Sequence, residues 1–483
     1  MKITDPLTGK SIDWISPPEA PMYTIPIAAC TDDRQACRWM MPQECPDLTA
    51  TLGGNLYVAG KTWQVSSFGL WQFAADLSFT KLIRKYKGFV AYGDILFGAG
   101  HLGTALHAGP TVLEFTTTVE PQGPGALHLM TCDGTAITDL GAIDYEGEKV
   151  PATTGSLYSI AYMPKSCITA DNKRVLGAAW RTADGNLHAS VFTNTSYATT
   201  GWVKQCLIQG GSYRVHALAT SGSGASTIIV AAFGSLYGGT NIGLAFTLDN
   251  GTTWYYLTPG GAVAIADANG LTAAAYTAAG YWLTNAGADA VVPARILLSG
   301  TNAYLSAIHF TPSVGDLLPS GNSRHYFYHF NLSTGAYDRH GPFLPGIFGS
   351  GAGLDCEWNG SAIRCAKPIA VANVNTDPGY TDYPQGGPTI GIYSYDPALL
   401  DTAPTLTKTI ALDGLGSSLP YVDRIPTDYP WAHLCYGDGQ VFIGCRWVKG
   451  STGKLAVNVS DQRPQDVEQN FHMSRVKIID VTV

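Results

Sequence analysis

The chain has 483 residues, carries a formal net charge of −8, and is 14% charged and 45% hydrophobic. Its 37 acidic residues divide into 29 aspartates and 8 glutamates, beside 55 glycines, 28 prolines and 25 tyrosines. Aspartate and glycine favour turns where glutamate favours helix interiors, so a mostly helical protein is excluded, and the apolar content excludes a disordered one.

In chain order, residues 1–45 come first, with Pro17, Pro18, Pro21, Pro26 and Pro42, three cysteines and little strand alternation. They read as an extended N-terminal docking arm. Met1 to Pro6 lacks the apolar core of a signal peptide, so Sec-dependent export is not expected. No apolar run approaches the roughly 20 residues of a membrane helix. From residue 46 onward, short stretches of β-branched, aromatic and small residues alternate with glycine- or aspartate-bearing turns. Strands are expected at Asn55 to Ala59, Phe89 to Tyr92, Asp94 to Phe97, Arg174 to Trp180 and Asn186 to Phe192. Further strands are expected at Thr227 to Phe233, Gly243 to Thr247, Thr253 to Leu257, Ala303 to Phe310 and His325 to Phe330. The last are Ala362 to Ala366, Thr389 to Tyr395 and Gln440 to Val448. Turn chemistry at Ala183-Asp184-Gly185, Asp249-Asn250-Gly251, Asn359-Gly360 and Asp438-Gly439 marks hairpins. Only Gln72 to Lys87 and Gln465 to Val476 read as short helices.

Comparable units recur every 40 to 60 residues or so, the range of propeller blades. One runs from Leu157 to Ile208, the next from Val215 to Tyr256, and others centre near residues 55, 90, 275, 328, 363 and 442. The expected fold is all-β: a β-propeller of six to eight four-stranded blades over 46–483.

Thr247-Leu248-Asp249-Asn250-Gly251-Thr252-Thr253-Trp254 matches the Asp-box, S/T-x-D-x-G-x-T-W. Asn250-Gly251 suits the tight turn, Asp249 and the Thr247 hydroxyl can bond turn backbone groups, and Trp254 can anchor the turn by burial. The structural residues of this box are Thr247, Asp249, Gly251, Thr253 and Trp254. In it the chain resembles the Asp-box β-propeller families, which include sialidases and many non-catalytic propellers. The resemblance implies that the box joins the outer strands of a blade, away from any active centre. Trp180 to Gly185 and Asn331 to Gly335 are degenerate copies at best.

Catalytic signatures are missing. A sialidase-like centre needs three arginines, a Tyr–Glu pair and an aspartate. Arg181, Arg214, Arg295, Arg364, Arg424 and Arg446 supply arginine, and Asp423-Arg424-Ile425-Pro426 resembles part of the sialidase arginine motif but lacks its aromatic residue. Tyr145-Glu146 is the one glutamate beside a tyrosine and reads as a solvated turn. Neither G-x-S-x-G nor H-E-x-x-H occurs. No catalytic residue, metal ligand or cofactor is therefore assigned. His325 and His329 share a strand face and read as satisfied histidines among aromatics. Asn373 to Asp382 reads as a proline turn in preference to a calcium loop, and Lys81, Arg84, Lys85 and Lys87 as a solvated face. Ten cysteines without a CxxC pair make no disulfide-dense scaffold, and the pairs Cys356/Cys365 and Cys435/Cys445 read as buried free thiols in preference to disulfides. If Asn359-Gly360 and Asp438-Gly439 are two-residue loops, neither Cys356 and Cys365 nor Cys435 and Cys445 lie opposite each other.

The candidate ligand-binding residues are Tyr380, Asp382, Tyr383, Tyr429 and Trp431. They sit in loops combining aromatics, aspartate and proline, which suit sugar platforms and protein contacts, or cap the propeller ends. Low charge, abundant Gly, Thr, Ala and Tyr and the proline-rich arm resemble bacteriophage virion proteins. That resemblance implies a non-enzymatic tail, baseplate or receptor-binding component. Its expected partners are other virion proteins, bound through the arm, and a host-surface glycan or protein. A homo-oligomer assembled in the host cytoplasm is expected, with no membrane span. Net negative charge leaves nucleic acid out. The alternatives are a sialidase-like glycoside hydrolase and a non-catalytic lectin.

Overall fold

A computed structural model describes residues 2–4, 11–13, 48–61, 68–85, 104–119, 126–145, 148–149, 164–181, 187–211, 213–235, 241–283, 290–310, 324–345, 355–369, 389–411, 433–436, 439–462 and 471–482. Seven sheets of four or five strands, antiparallel but for one added edge strand, follow one another along the chain as the blades of a β-propeller. Lys2–Thr4 pairs with Ser11–Asp13 as a separate two-stranded ribbon. The rest of the 1–45 arm lies outside the described residues.

Blade one comprises Thr49–Leu52, Asn55–Lys61, Phe68–Phe73 and Phe79–Lys85. Blade two comprises Thr104–Ala108, Leu113–Val119, Ala126–Cys132 and Ile137–Ala142. Blade three comprises Lys165–Ile168, Arg174–Arg181, Leu187–Asn194 and Val203–Gln209, and blade four Tyr213–Ser221, Ile228–Ser235, Ile242–Thr247 and Tyr255–Thr258. Blade five comprises Ala290–Ser299, Asn302–Phe310, Arg324–Asn331 and Ala336–Pro345; blade six comprises Asp355–Trp358, Ile363–Ile369, Thr389–Tyr395 and Thr405–Ala411. Blade seven comprises His433–Tyr436, Gly439–Trp447, Lys454–Gln462 and Phe471–Asp480. The expected unit near residue 275 is not a blade, which fixes the count at seven.

The first strands of blades one to six contact one another in series and line the ring axis. In blade seven the described contacts with blade six run through Gly439–Trp447. Trp447 N–H donates to Asp355 Oδ2 at 2.6 Å, its indole N–H to the Asp355 carbonyl, and its carbonyl accepts from Thr49 Oγ1 at 2.8 Å. Lys449 N–H returns a bond to Thr49 Oγ1, and Thr51 Oγ1 donates to the Lys449 carbonyl, so these side-chain bonds join the last blade to the first. Middle strands are buried on both faces by the neighbouring blades. Every residue of Ile242–Thr247 is buried, and its sequence is accordingly a continuous apolar run and not an alternation. The fourth strand of blade three meets solvent at Val203, which is 68% exposed, whereas that of blade four is covered by a fifth strand.

Three expectations are corrected. Gln72 to Lys87 is not a helix: Phe68–Phe73 and Phe79–Lys85 pair across a turn. Asp76 Oδ1 accepts the Ser78 amide and Leu77 takes φ 69°, which breaks any helical run. The described part of Gln465 to Val476 begins the strand Phe471–Asp480. Third, the loop after Trp358 holds four residues, because Asn359 Oδ1 accepts both the Ser361 and Ala362 amides. This register sets Cys356 directly opposite Cys365, and the two are joined as a disulfide. Cys435 pairs in register with Gln440 and Cys445 with Val457, so that pair is not opposed.

The helix that does form, Ala273–Ala278, is capped by Thr272 Oγ1, which accepts the Ala275 amide. It belongs to a strap running from blade four back to blade three. Gly261–Ala264 adds a fifth strand to blade four, and Leu271–Thr272 pairs parallel with Ile208–Gln209 at the edge of blade three. Tyr276 on the helix is fully buried among Phe233, Tyr256, Tyr281 and Trp282. Among the described residues no helix is long and apolar enough to cross a membrane.

Candidate ligand-binding site

The axial strands leave a cavity of about 290 Å³ on the ring axis. Its wall draws on five blades and on the turn after Trp447: Thr51, His107, Cys167, Thr220, Arg295 and Lys449 are its polar and ionisable lining. The remaining lining is small or aliphatic, including Ala50, Ala108, Ala217 and Ile296. Small residues on inner strands leave this space because the axial strands converge without bulky side chains to fill it.

His107 is held on both sides. Its Nε2 lies 3.0 Å from Glu114 Oε2 and its Nδ1 3.0 Å from Ser166 Oγ on blade three. Burial lowers its pKa below the ordinary 6.5, against the opposing pull of Glu114. Glu114 in turn receives Arg174 as a fork: Nε donates to Oε2 at 2.9 Å and Nη2 to Oε1 at 2.5 Å. Burial alone would raise the Glu114 carboxyl, but bonds from Arg174 and His107 outweigh it and leave its pKa lowered. Tyr197, packed edge-on to His107, donates its hydroxyl to the Phe115 carbonyl at 2.7 Å. Burial pushes that phenol far up. This network ties blade two to blade three behind the cavity wall.

Arg295 Nη1 donates to Asp355 Oδ1 at 2.8 Å across the junction of blades five and six. Lys449 Nζ spans to the Ser166 carbonyl at 3.2 Å, from the seventh blade to the third. Two basic side chains thus stand on the cavity wall, Lys449 and Arg295, the latter already ion-paired with Asp355.

The described arginines singled out in the sequence stand on five different blades. Arg295 is paired with Asp355, and Arg364 with Glu357, while its Nη1 donates to the Val481 carbonyl. Arg214 and Arg446 are buried within blades four and seven. Arg424 lies outside the described residues, as does Glu146, although Tyr145 pairs with Glu148.

Tyr380, Asp382 and Tyr383 also lie outside, between the second and third strands of blade six. The calcium-like stretch 373–382 lies outside in that same connection, and Tyr429 and Trp431 lie outside between blades six and seven. The strand ends they connect are opposite the end that carries the octapeptide hairpin.

In that octapeptide Thr247 Oγ1 donates to Asp249 Oδ1 at 2.6 Å and accepts the Gly251 amide at 3.0 Å. Asp249 Oδ1 accepts the Thr253 amide at 2.8 Å. Asn250 and Gly251 take φ 60° and 88°, which suits these two residue types. Trp254, 5% exposed, packs in a cluster that includes Val175, Val191 and Leu207 of blade three. Lys173 Nζ donates to the Asn250 carbonyl at 2.8 Å, adding a second link between blades three and four. Of the degenerate copies, Asn331 to Gly335 occupies the corresponding hairpin of blade five, with Asn331 Oδ1 accepting the Ser333 and Thr334 amides. Trp180 to Gly185 instead falls between the second and third strands. The hairpin of blade three that corresponds is 195–202, where Trp202 packs against Leu127, Leu129 and Ile143 of blade two.

His325 and His329 do not share a partner: His329 Nε2 bonds Asn302, while His325 faces Ser306 and Tyr395. Among the described residues, His325, Cys356 and Cys365 form a group whose atoms could hold a metal ion. The cavity wall itself was not found from the sequence. Of the residues singled out in the sequence only Arg295 lines it, the expected strand Gln440 to Val448 stopping one residue short of Lys449, and no local pattern announces an axial position.

No known protein family matches the chain, and no curated protein does. Solved structures do. A polysaccharide lyase of family PL25, an ulvan lyase, superposes with a TM-score of 0.57 at 10% identity, over 93% of this chain and 94% of that one. The same type of lyase bound to -[GlcA(1-4)Rha3S]- gives a TM-score of 0.56 at 9% identity, again over 93% and 94%. The phage phi92 endosialidase is more distant, with a TM-score of 0.40 at 9% identity over 99% of this chain and 72% of that one. At these identities the likeness to the lyases establishes the propeller fold.

Proposed function

We propose that this protein is a glycan-recognising β-propeller that binds an acidic saccharide in its axial cavity. The observation that carries the reading is the pair of basic side chains, Lys449 and the Asp355-paired Arg295, on the wall of a cavity of about 290 Å³, close to the lower end of the range for small-molecule sites. Threonine hydroxyls at positions 51 and 220 add neutral hydrogen-bonding groups beside it. A binding role is favoured over hydrolysis because His107 and the carboxylates behind the cavity wall are committed to other side chains. Both His107 nitrogens are bonded, and Glu114 and Asp355 are each held by an arginine. Neither carboxylate is then placed to serve as an acid or a nucleophile.

On this reading the protein is an attachment component of a phage tail or baseplate. The 1–45 arm fixes it to other virion proteins, and the loops bearing Tyr380, Asp382, Tyr383, Tyr429 and Trp431 extend recognition of a host-surface glycan. A glycan array tests the core of the proposal. Uronic, sialic or sulfated glycans should bind in preference to neutral ones, and Lys449→Ala should weaken that binding about ten- to a hundredfold, one charge-assisted contact being worth about 1.5–3 kcal/mol. Binding confined to neutral glycans, or indifferent to Lys449, would overturn it. Turnover of a bound glycan would overturn the non-enzymatic half.

A further inference from the structure

Cys356 and Cys365 face each other across the first two strands of blade six, and both are fully buried. His325, on the third strand of blade five and 1% exposed, reaches the same point. One ligand atom from each of the three lies within 4.8 Å of the other two. The surroundings are apolar and aromatic: Phe327 and Tyr395 pack edge-on to the imidazole, and Leu297 and Ile363 complete the cluster. The imidazole has a hydroxyl at each end, Ser306 Oγ 2.9 Å from Nε2 and the Tyr395 hydroxyl 3.3 Å from Nδ1.

We propose that, when the Cys356–Cys365 disulfide is reduced, these three side chains form a binding site for a divalent thiophilic cation, zinc. Two thiolates and one imidazole are a zinc donor set. Two thiolate charges cancel those of the cation, so the assembled site is neutral, which a dry interior requires. Whichever imidazole nitrogen turns to the metal, the other keeps a hydroxyl to fix the ring, the usual outer support of a histidine ligand. Reduction by a dithiol moves two electrons and two protons onto the sulfurs and leaves the reductant as its own disulfide. Metal binding then releases those two protons. In a reducing compartment the site holds metal across the junction of blades five and six; in an oxidising one the same cysteines hold a covalent bond within blade six.

The test uses the full chain, stripped of metal and reduced with a phosphine, titrated with Co²⁺ and then Zn²⁺. The expected result is uptake of about one equivalent with a thiolate-to-cobalt charge-transfer band, bleached by zinc. That band should be lost in the oxidised protein and in Cys356→Ser. Because Cys356→Ser could misfold, near-ultraviolet circular dichroism accompanies it. Alkylation of the native, reduced wild-type chain supplies an independent readout: zinc should slow modification of Cys356 and Cys365 selectively. A reduced, folded protein without the band, equal uptake by the oxidised form, or zinc protection at other cysteines would overturn the proposal.

Discussion

Glu114 is the residue on which the junction of blades two and three turns. It sits 2% exposed between His107 and Arg174, and a carboxylate so placed is tolerable only because both neighbours hold it. Glu114→Gln leaves the Arg174 guanidinium inside without its counter-charge, so the variant should lose about 3–5 kcal/mol of stability, read by chemical denaturation. The pH dependence follows from the same contacts. The folded pKa of Glu114 lies below its ordinary 4.5, so its contribution is present above that pH and fades as pH falls through the folded value. The folded pKa of His107 lies below 6.5, so it adds stability that is complete above 6.5 and fades on acidification toward the folded value. Both slopes have the same sign: stability falls from near neutrality into the acid range. In Glu114→Gln the part of that fall below about pH 4.5 should flatten, as measured by unfolding at a series of pH values.

At the scale of the element, hairpins explain most of what could be read in advance. Thr389–Tyr395 was legible residue for residue, because a β-branched and aromatic run stood between turn signals. The octapeptide was legible because each of its positions has a local job, from the Thr247 hydroxyl to the Trp254 indole. Trp254→Ala should cost about 3–5 kcal/mol in denaturant unfolding, since it empties a site shared by two blades. The paired hairpin of blade three escaped notice although Trp202 does the same work there. Asn194 Oδ1 accepts the Ser196 amide, but the spacing to the tryptophan differs, so a fixed pattern misses it. Lys81 and Ile83 were misread as helical because charged and apolar residues in a short edge strand can mimic either period. The disulfide was lost to a turn length: two more loop residues shift the register enough to bring Cys356 and Cys365 face to face. Strands and turns are written locally, whereas the axial cavity is made where five blades converge, and no contiguous segment encodes that convergence.

At the scale of the whole molecule, seven blades close a ring through Thr49, Thr51, Trp447 and Lys449, and that closure also sets Lys449 into the axial cavity. On the proposed reading structure and recognition are joined at one place, since the turn that seals the ring also carries Lys449. The solved lyases that share this fold show how far the framework alone extends, about 94% of their length, at a sequence identity near 10%. The chemistry of the ligand must therefore be tested on this chain. The most direct measurement is a structure of the protein in complex with the acidic oligosaccharide that ranks highest on the array. The saccharide carboxylate or sulfate should lie on the ring axis within hydrogen-bonding reach of Lys449 or Arg295. An oligosaccharide bound on the outer strands, with the axial cavity unchanged, would contradict the account.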